Sequence, residues 1–358
     1  MSFNADKTKC MIFSRTKQDV PRLVLDNNIL EMVDVYKHLG LTLCNNLSWS
    51  EHIDRLLKKL QPQLSLIWKL NTKFPRYISE KVFTSFILPQ LDYACVLYDS
   101  STLYQKERLD RFHRSAAIAC TRAYSNTSTN ALLSELGWNP LQTRRDYIKL
   151  VYMYKIIHNM CPQYLKALVP TQVSHQYQLR NTNNIAIPFG RTQLYRNSFI
   201  PSTITLWNNT DPYIKCSNSL VAFKCHLKKH LFIKKENNVC SLGVGIGYIH
   251  FARLRMGMSG LHSHLYKCHI KDSPTCPSCD NAAETIQHYL LECPTYRALR
   301  PPLLETLLPL ISKPNSPTPS NHMLTSFMLS GITELSRPES KQLLDTVSNY
   351  IIHTKSFN

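Results

Sequence analysis

The sequence predicts an α+β protein that is mainly helical. Residues 1–47 alternate short extended runs with turn residues, as in KTKCMIFSR and RLVLDNNILE. After residue 48, apolar residues recur mostly at helical spacing. A cluster of cysteines with one histidine near residue 280 predicts a small metal-binding segment as well. A chain of 358 residues has room for about two or three domains.

Composition indicates a folded protein in a reducing compartment. Apolar residues make up 43% of the chain and charged residues 18%, so sizeable cores can be buried. No apolar run approaches the ~18 residues of a membrane span, and the start, MSFNADKTKC, lacks the layout of a signal peptide. We therefore expect a cytoplasmic or nuclear protein that makes no membrane contact. In those compartments the twelve cysteines are not expected to form a disulfide framework.

Positive charge is concentrated in one region. The net charge is +18, and Leu141 to Lys271 carries +15 of it, from eighteen Lys and Arg against three acidic residues. A surface of one sign repels itself unless an anionic partner is present. Nucleic acid is the commonest such partner and a membrane surface the second, whereas a solvated lysine-rich surface is the alternative without a ligand. We expect RNA or DNA.

The extended runs before residue 47 suggest two hairpins. The letters DNN separate two halves of RLVLDNNILE, and Gly40 interrupts VYKHLGLTLC. A capping box from Ser48 to Glu51 then predicts the first long helix. Pro62 lies inside that helix and is expected to kink or split it.

Further helices follow from apolar spacing. They are predicted from Ser79 onward, over KERLDRFHRSAAIAC, over NALLSEL up to Gly137, and from about Leu141 to His158. In the last of these, Arg144, Arg145 and Lys149 are expected on a face open to solvent or a phosphate. Residues 160–220 suggest loops with short strands, because they are rich in Pro, Asn, Thr and Ser.

The stretch SLVAFKCHLKKHLFIKK predicts a basic amphipathic helix. Lys228 and Lys229 on it are candidate phosphate contacts, although an ordinary surface helix would look the same. The chain after Cys293 combines a Pro- and Ser-rich linker, SKPNSPTPSN, with a final helix, RPESKQLLDTVSNYIIHTKSF.

The stretch CPSCDNAAETIQHYLLEC has ligand-like spacing, Cys276-x2-Cys279-x8-His288-x4-Cys293. Two cysteines three apart can present both sulfurs to one ion from a tight turn. A capping box from Asn281 to Glu284 predicts that a helix follows, carrying His288 and ending near Cys293. Three thiolates and one imidazole favour a closed, structural Zn²⁺ site. The alternative is a set of core cysteines with a chance histidine.

The residues before this cluster combine cations with aromatic rings. Arg253, Arg255, Lys267 and Lys271 are interleaved with Phe251, Tyr266 and four histidines, which suits phosphate contact and base stacking. By contrast, the sequence has no P-loop, no G-x-S-x-G, no H-E-x-x-H and no adjacent aspartates. These observations predict binding of a polyanion without visible chemistry.

The order of several stretches resembles the C-terminal half of the reverse-transcriptase polyprotein of non-LTR (LINE-type), jockey-like retrotransposons. FNADKTKCMIF is similar to the motif after the catalytic aspartate strand, and YKHLGLTLCNNLSWSEHI to the primer-grip hairpin. ILPQLDYACVLYD, ERLDRFHRSAAIACTRAY and ELGWNPLQTRRDYIKLVYMYKIIH resemble the helical thumb and its continuation. The stretch from FARLRMG to the four-ligand cluster resembles the C-terminal Cys-Cys-His-Cys segment of these polyproteins. The resemblance covers nearly the whole chain.

This resemblance implies five continuous segments. They are a palm remnant with the primer-grip hairpin (1–47), a thumb with its continuation (48–160), a basic connection (161–240), a zinc-binding segment (241–300), and a linker with a final helix (301–358). Lys7 would match a possible general acid, and Leu39 with Gly40 would match the turn that holds the primer end.

The same resemblance places the catalytic aspartates before the first motif present here. We therefore expect no polymerase activity from this chain alone, a requirement for Mg²⁺ only in an intact polymerase, and RNA, DNA or the rest of a retrotransposon ribonucleoprotein as partners. Two alternatives remain open: a host-co-opted zinc module that binds protein, and a non-functional pseudogene product with unpaired strand edges.

Overall fold

A computed structural model describes residues 8–14, 22–25, 28–170, 184–232, 245–311, 319–330 and 335–357. Within these ranges the chain is mainly helical, with short strands confined to residues 9–44, so the predicted class of mainly α with some β is confirmed. No helix in the described ranges is long and apolar enough to cross a membrane.

The strands form three small two-stranded pairs. The strands are β1 (Lys9–Cys10), β2 (Val24–Leu25), β3 (Asn28–Ile29), β4 (Glu31–Met32), β5 (Val35–His38) and β6 (Leu41–Cys44). β2 and β3 are antiparallel neighbours, β1 pairs with β4 in parallel, and β5 pairs with β6 with His38 opposite Leu41. Both predicted hairpin pairings are confirmed.

The turn between β5 and β6 consists of Leu39 and Gly40. Both have positive φ, 45° and 84°, which is the backbone shape of two-residue hairpin turns that match the natural strand twist. Glycine adopts this shape without strain, whereas leucine does not. The turn therefore holds one strained residue, and its side chain is 76% exposed.

The helices occupy most of the remaining chain. They are α1 (Ser50–Lys73), α2 (Arg76–Val82), α3 (Leu88–Asp92), α4 (Cys95–Tyr98), α5 (Leu103–Thr121), α6 (Thr129–Leu136), α7 (Leu141–Ile157), α8 (Gln163–Ala167), α9 (Gln193–Arg196), α10 (Phe199–Asn208), α11 (Pro212–Lys215), α12 (Leu220–Leu231), α13 (Ile246–Arg255), α14 (His262–Lys267), α15 (Pro301–Ile311), α16 (Asn321–Ser330) and α17 (Arg337–Thr354). Two π-helical turns, Phe83–Ile87 and His288–Glu292, and a 3-10 turn, Pro294–Leu299, complete the set.

The start of α1 differs from the prediction, and the split expected as one of two outcomes at Pro62 does not occur. The hydroxyl of Ser48 accepts the N–H of Ser50 at 3.2 Å, and Glu51 pairs with Arg55 at 2.7 Å, so the predicted capping box does not form. The helix also runs on through Pro62 without splitting. A proline deletes one helical hydrogen bond, and the apolar face of this helix outweighs that loss, since Leu60, Leu64 and Ile67 are buried.

Two other regions are more helical than predicted. α2 begins at Arg76 instead of Ser79 and continues into the π-helical turn Phe83–Ile87. In the described part of residues 160–220, short helices replace the predicted loops and strands. The polar residues that suggested loops serve as helix caps there: Thr192 accepts from Tyr195 N–H and Asp211 from Tyr213 N–H.

The described chain divides into two compact units. Unit 1 comprises Met1–Pro62, Leu88–Phe112 and Pro140–Phe232; unit 2 comprises Gln63–Ile87, His113–Asn139 and Ile233–Asn358. Both are discontinuous in sequence, whereas the five predicted segments are continuous.

The core of unit 1 is built around α7. Tyr154 stacks on Phe223 of α12 with ring centroids 4.4 Å apart, and its hydroxyl donates to the carbonyl of Ser217 at 2.8 Å. Trp207 of α10 packs in the same cluster. The core of unit 2 joins Cys276, Cys293 and Tyr289 to apolar residues of α17, among them Val347 and Ile351. Two residues of the predicted metal cluster, Cys276 and Cys293, are thus part of a hydrophobic core, and Cys279 packs against it.

Candidate metal centre and predicted nucleic-acid contacts

Cys276 and Cys279 lie at the two ends of a tight turn. The N–H of Asp280 donates to the carbonyl of Cys276 at 2.9 Å, and the N–H of Cys276 donates to the carbonyl of Ala282 at 2.8 Å. Asp280 has a left-handed φ of 53°, which reverses the chain. The turn presents both sulfurs to the same side, as the spacing predicts.

The helix after this turn begins later than predicted. Its first helical residue is Ile286, and the Thr285 hydroxyl accepts the N–H of His288 at 3.1 Å. The carboxylate of Glu284 instead accepts the N–H of His262 at 2.7 Å. The predicted capping box from Asn281 to Glu284 is therefore wrong, because Glu284 satisfies a backbone donor at the start of α14.

A π-helical turn brings the last two ligands together. The N–H of Cys293 donates to the carbonyl of His288, five residues earlier, at 2.7 Å. That bond defines one wide turn, after which residues five apart lie on the same side of the chain. The π turn explains how the x4 spacing serves one site.

The four ligand atoms converge. The sulfurs of Cys276, Cys279 and Cys293 and a ring nitrogen of His288 all lie within 4.8 Å of one another. The two sulfurs of Cys276 and Cys293 are 3.9 Å apart, and Cys279 Sγ lies 3.3 Å from His288 Nε2. Ligand bonds of ~2.3 Å to sulfur and ~2.0 Å to nitrogen in a tetrahedron separate such atoms by about 3.5–3.8 Å. The cluster could hold a metal ion, as predicted.

Two of the thiols lie in different electrostatic surroundings. The N–H of Asn281 lowers the pKa of Cys279. Burial raises the pKa of Cys276 to about 11, although the N–H groups of Ser278 and Cys279 oppose the rise. A metal ion binds thiolates and displaces their protons. The backbone donors around the turn therefore favour the ligand form of these cysteines.

Buried polar side chains that were not predicted support the cluster. Arg300 donates to the carbonyl of Leu290 at 3.2 Å and to the carbonyl of Cys293. Tyr296 shares a 2.7 Å hydrogen bond with the Ser278 hydroxyl inside the Cys276–Cys279 turn, and a 2.6 Å bond with Ser356 beyond α17. Tyr296 therefore links the ligand turn to the C-terminal helix. No sequence spacing marks these roles.

A second bond network ties the same helix to the π turn. The hydroxyl of Tyr350 donates to the carbonyl of Tyr289 at 2.7 Å, and the Tyr289 hydroxyl shares a 2.6 Å bond with Thr354. Tyr289 follows the ligand His288 directly. Two of the four ligands, His288 and Cys293, thus lie at the ends of a turn that α17 contacts.

Two predicted phosphate contacts are buried instead of exposed. Arg145 and Lys149 of α7 are only 4% and 2% exposed. Both pair with Asp99, Arg145 at 2.9 Å, and Lys106 pairs with the same carboxylate at 3.1 Å. The expectation that these two cations face solvent is wrong, because an acidic residue in the loop before α5 neutralises them inside unit 1.

Three further predicted cations are half-buried and bind groups of the protein itself. Arg144 pairs with Asp92. In unit 2, Arg255 pairs with Glu135 at 3.1 Å, and Arg253 donates to the carbonyl of Arg122 at 2.8 Å while lying 4.0 Å from the ring centroid of Tyr124. Their positive charge is largely committed to contacts within the protein.

The remaining predicted cations are open to solvent. Lys228, Lys229, Lys267 and Lys271 are exposed and make no ion pair within the described ranges. Lys228 lies 5.8 Å from the ring centroid of Tyr147. Among the interleaved aromatics, Tyr266 is 47% exposed, whereas Phe251 is buried at 2% and cannot stack on a base.

The remaining candidates belong to the N-terminal region. Leu39 and Gly40 form the hairpin turn described above, while Lys7 lies outside the described residues. Apart from the four-residue cluster, no group of three or more His, Cys, Asp or Glu side chains in the described ranges brings its ligand atoms this close. Comparisons with protein-family models, curated proteins and solved structures found no match for the chain.

Proposed function

We propose that this chain binds RNA or DNA through its exposed lysines and that the four-residue cluster holds a structural Zn²⁺. The observation that carries the proposal is the convergence of three thiols and one imidazole on one point, inside a chain whose net charge is +18. Soft thiolate ligands with one imidazole favour Zn²⁺ over harder cations. With all four positions taken by protein, the ion would fix a fold and leave no place for a catalytic water.

We further propose that the chain corresponds to the C-terminal half of a non-LTR retrotransposon reverse transcriptase. The support is the order of its elements. A tight hairpin with the Leu39–Gly40 turn is followed by the long helix α1, then by further helices, and finally by the Cys-Cys-His-Cys cluster. On this proposal, the chain grips nucleic acid, and the aspartates and Mg²⁺ of polymerisation belong to the intact enzyme.

Binding of labelled RNA and single-stranded DNA to the zinc-loaded chain tests the first proposal. Each phosphate contact releases counterions, so the affinity should fall steeply between 50 and 200 mM salt, about 10²-fold for four contacts. Replacing Lys228, Lys229, Lys267 and Lys271 with Gln should weaken binding and flatten the salt dependence. The matched control replaces four exposed lysines outside the basic region, Lys58, Lys59, Lys81 and Lys341, with Gln and should leave binding near the wild-type value.

Two results would count against these proposals. An affinity that does not change with salt, or an equal loss in the control, would remove the lysines as the interface. Incorporation of labelled nucleotide on a primed RNA template by this chain alone would overturn the expectation that it lacks polymerase activity.

A further inference from the structure

Unit 1 contains a cavity of about 1490 Å³. Residues of α7, α8, α10, α11 and the end of α12 line it, together with the segment around Ile185. Pockets for single small molecules usually measure ~300–1,000 Å³. The greater volume suits a short stretch of a polymer better than one small metabolite.

The cavity has apolar walls formed in part by half-buried side chains. Ile157 and Val169 line it and keep part of their surface exposed. Both pack against the core of unit 1 and are held in place by their neighbours there. A rigid apolar surface is suited to the face of a planar ring, and an unpaired base is such a ring.

Three amide side chains line the same cavity without being used by the protein. Gln163, Asn184 and Asn209 have no hydrogen-bond partner within the described ranges. Asn208, also in the lining, differs, because its amide both accepts from and donates to the backbone of Ile185, at 3.0 and 2.9 Å. A free amide offers a donor and an acceptor side by side, which matches the edge of a base.

The charge of the lining is suited to an anion. Among the described residues, Lys166, Lys215 and His230 lie in it against one acid, Asp211. The Asp211 carboxylate already accepts the N–H of Tyr213 at 2.8 Å. Burial lowers the pKa of Lys215, although Asp211 opposes this, and its ammonium has one long bond, 3.3 Å to the carbonyl of Asn208. A poorly solvated ammonium gains from a phosphate oxygen.

We propose that this cavity receives unpaired nucleotides of a single-stranded nucleic acid, with the free amides at base edges and Lys166 and Lys215 at phosphates. The inference rests on the proposed function, that the chain binds nucleic acid, and adds where unpaired bases go. It assigns the cavity residues a role that the exposed lysines of the basic region do not have, namely discrimination of single strands from duplex.

The test compares a labelled 12-nucleotide single strand with a duplex of the same length, at one salt concentration, on the full zinc-loaded chain. The double variant Gln163→Ala/Asn209→Ala should bind the single strand about tenfold more weakly, since the contact of an amide with a base edge is typically worth about that much, and should bind duplex within twofold of wild type. Because neither amide has a partner in the described ranges, the variant should melt at the wild-type temperature. Asn218→Ala, an exposed amide outside the cavity, is the matched control.

A second measurement does not depend on a variant. A single strand carrying 4-thiouridine, cross-linked by light and mapped by mass spectrometry, should attach within residues 156–170 or 207–216. Cross-links found only at other residues would overturn the inference. So would a double variant that loses equal affinity for the single strand and for the duplex. Competition by poly-glutamate as effective as that by the oligonucleotide would also overturn it and would assign the cavity to acidic peptides. If the wild-type chain binds neither the single strand nor the duplex, the proposed function fails together with this inference. If the wild type and the double variant bind equally well and with the same salt sensitivity, only the role of the cavity is overturned and the proposed function stands.

Discussion

The hydroxyl of Tyr93 donates a 2.6 Å hydrogen bond to the carbonyl of Leu39. The same ring lies beneath the other residue of the turn, where a Cβ added to Gly40 would come within 3.3 Å of Tyr93 Cε1. A residue at the end of α3 thus holds the tip of the β5–β6 hairpin in unit 1. This contact helps to keep Leu39 in a left-handed conformation that costs a leucine roughly 1–2 kcal/mol.

Three substitutions should change the stability of the hairpin tip, two by lowering it and one by raising it. Gly40→Ala should destabilise it by about 1–2 kcal/mol, because alanine is strained at φ 84° and would crowd the ring of Tyr93. Tyr93→Phe should cost up to about 1 kcal/mol through the lost hydrogen bond. Leu39→Asn should stabilise the turn, because asparagine tolerates positive φ.

Hydrogen exchange of the amides of β5 and β6 measures these effects locally. The first two variants should exchange faster than wild type and Leu39→Asn more slowly. Unchanged exchange in Gly40→Ala would show that the turn is not held at positive φ in solution.

Loss of the metal should loosen the C-terminal helix. The purified chain should contain one equivalent of zinc, and Cys276→Ser should lose it, because the cluster then offers three ligands around a buried gap. As Tyr296 joins the ligand turn to Ser356, α17 should then be cleaved faster in limited proteolysis. Zinc content by mass spectrometry and the cleavage sites together check this prediction.

Two controls separate the metal from the bond network. Cys225→Ser alters an exposed cysteine and should keep both zinc and protease resistance. Tyr296→Phe should keep zinc but speed exchange at the end of α17. Equal protease resistance in Cys276→Ser and wild type would contradict the link between the cluster and the helix.

Asp99 should be among the residues of unit 1 that tolerate substitution least. Burial acts to raise its pKa, but Lys149, Lys106 and Arg145 hold the pKa of this carboxyl below its ordinary value. Asp99→Asn leaves buried cations without their counter-charge, which typically costs about 3–5 kcal/mol. Urea unfolding should show this loss.

A half-exposed ion pair in the same unit provides the comparison. Asp92 pairs with Arg144, and about a quarter of each side chain is exposed to solvent. Asp92→Asn should therefore lower the free energy of unfolding by about 1 kcal/mol or less. If Asp99→Asn and Asp92→Asn unfold at similar urea concentrations, the charged cluster around Asp99 is hydrated in solution.

Stability of unit 2 should fall below neutral pH because of His250. Burial, with a smaller contribution from Arg253, lowers the pKa of this imidazole from 6.5 to about 4, and its ring is stacked on Phe357 at 4.7 Å. Below pH ~6.5 the imidazole therefore becomes protonated in the unfolded chain but stays neutral in the folded chain until about pH 4. The free energy of unfolding should therefore be highest above pH 6.5 and should decrease progressively toward pH 4, by up to about 3 kcal/mol.

Melting temperatures at pH 7.5 and 5.0 check this prediction. His250→Leu should reduce the difference between the two, and His353→Gln, an exposed histidine on α17, should not. Protonation of the cluster ligands affects all three proteins alike, so an equal difference in wild type and His250→Leu would exclude His250 as the cause.

The sequence predicted those elements whose signals are local. The apolar spacing of α5 places Leu109, Ala116 and Cys120 inward, and all three are buried. Gly137 ends α6 with a left-handed φ of 61°. The convergence of the four ligands also followed from spacing, because a tight turn and one helical turn fix most of their geometry.

Other features depend on residues that are distant in sequence. Nothing within α7 reveals that Lys149 will meet Asp99, fifty residues earlier, so helical spacing alone assigned it to solvent. The cavity of unit 1 draws on several separate helices, and Arg300 supports the cluster through backbone carbonyls, which carry no side-chain signal. Tertiary contacts decided these cases.

The wide turn between His288 and Cys293 also limits how this cluster could vary. With one residue fewer between them, an ordinary helical turn would place the pair four apart, and the backbone could close without the π-type bond. In this chain the longer interval and the wide turn go together. A variant that lacks one of the four residues between His288 and Cys293 would therefore need an ordinary helical turn to bring the same two ligands to one ion.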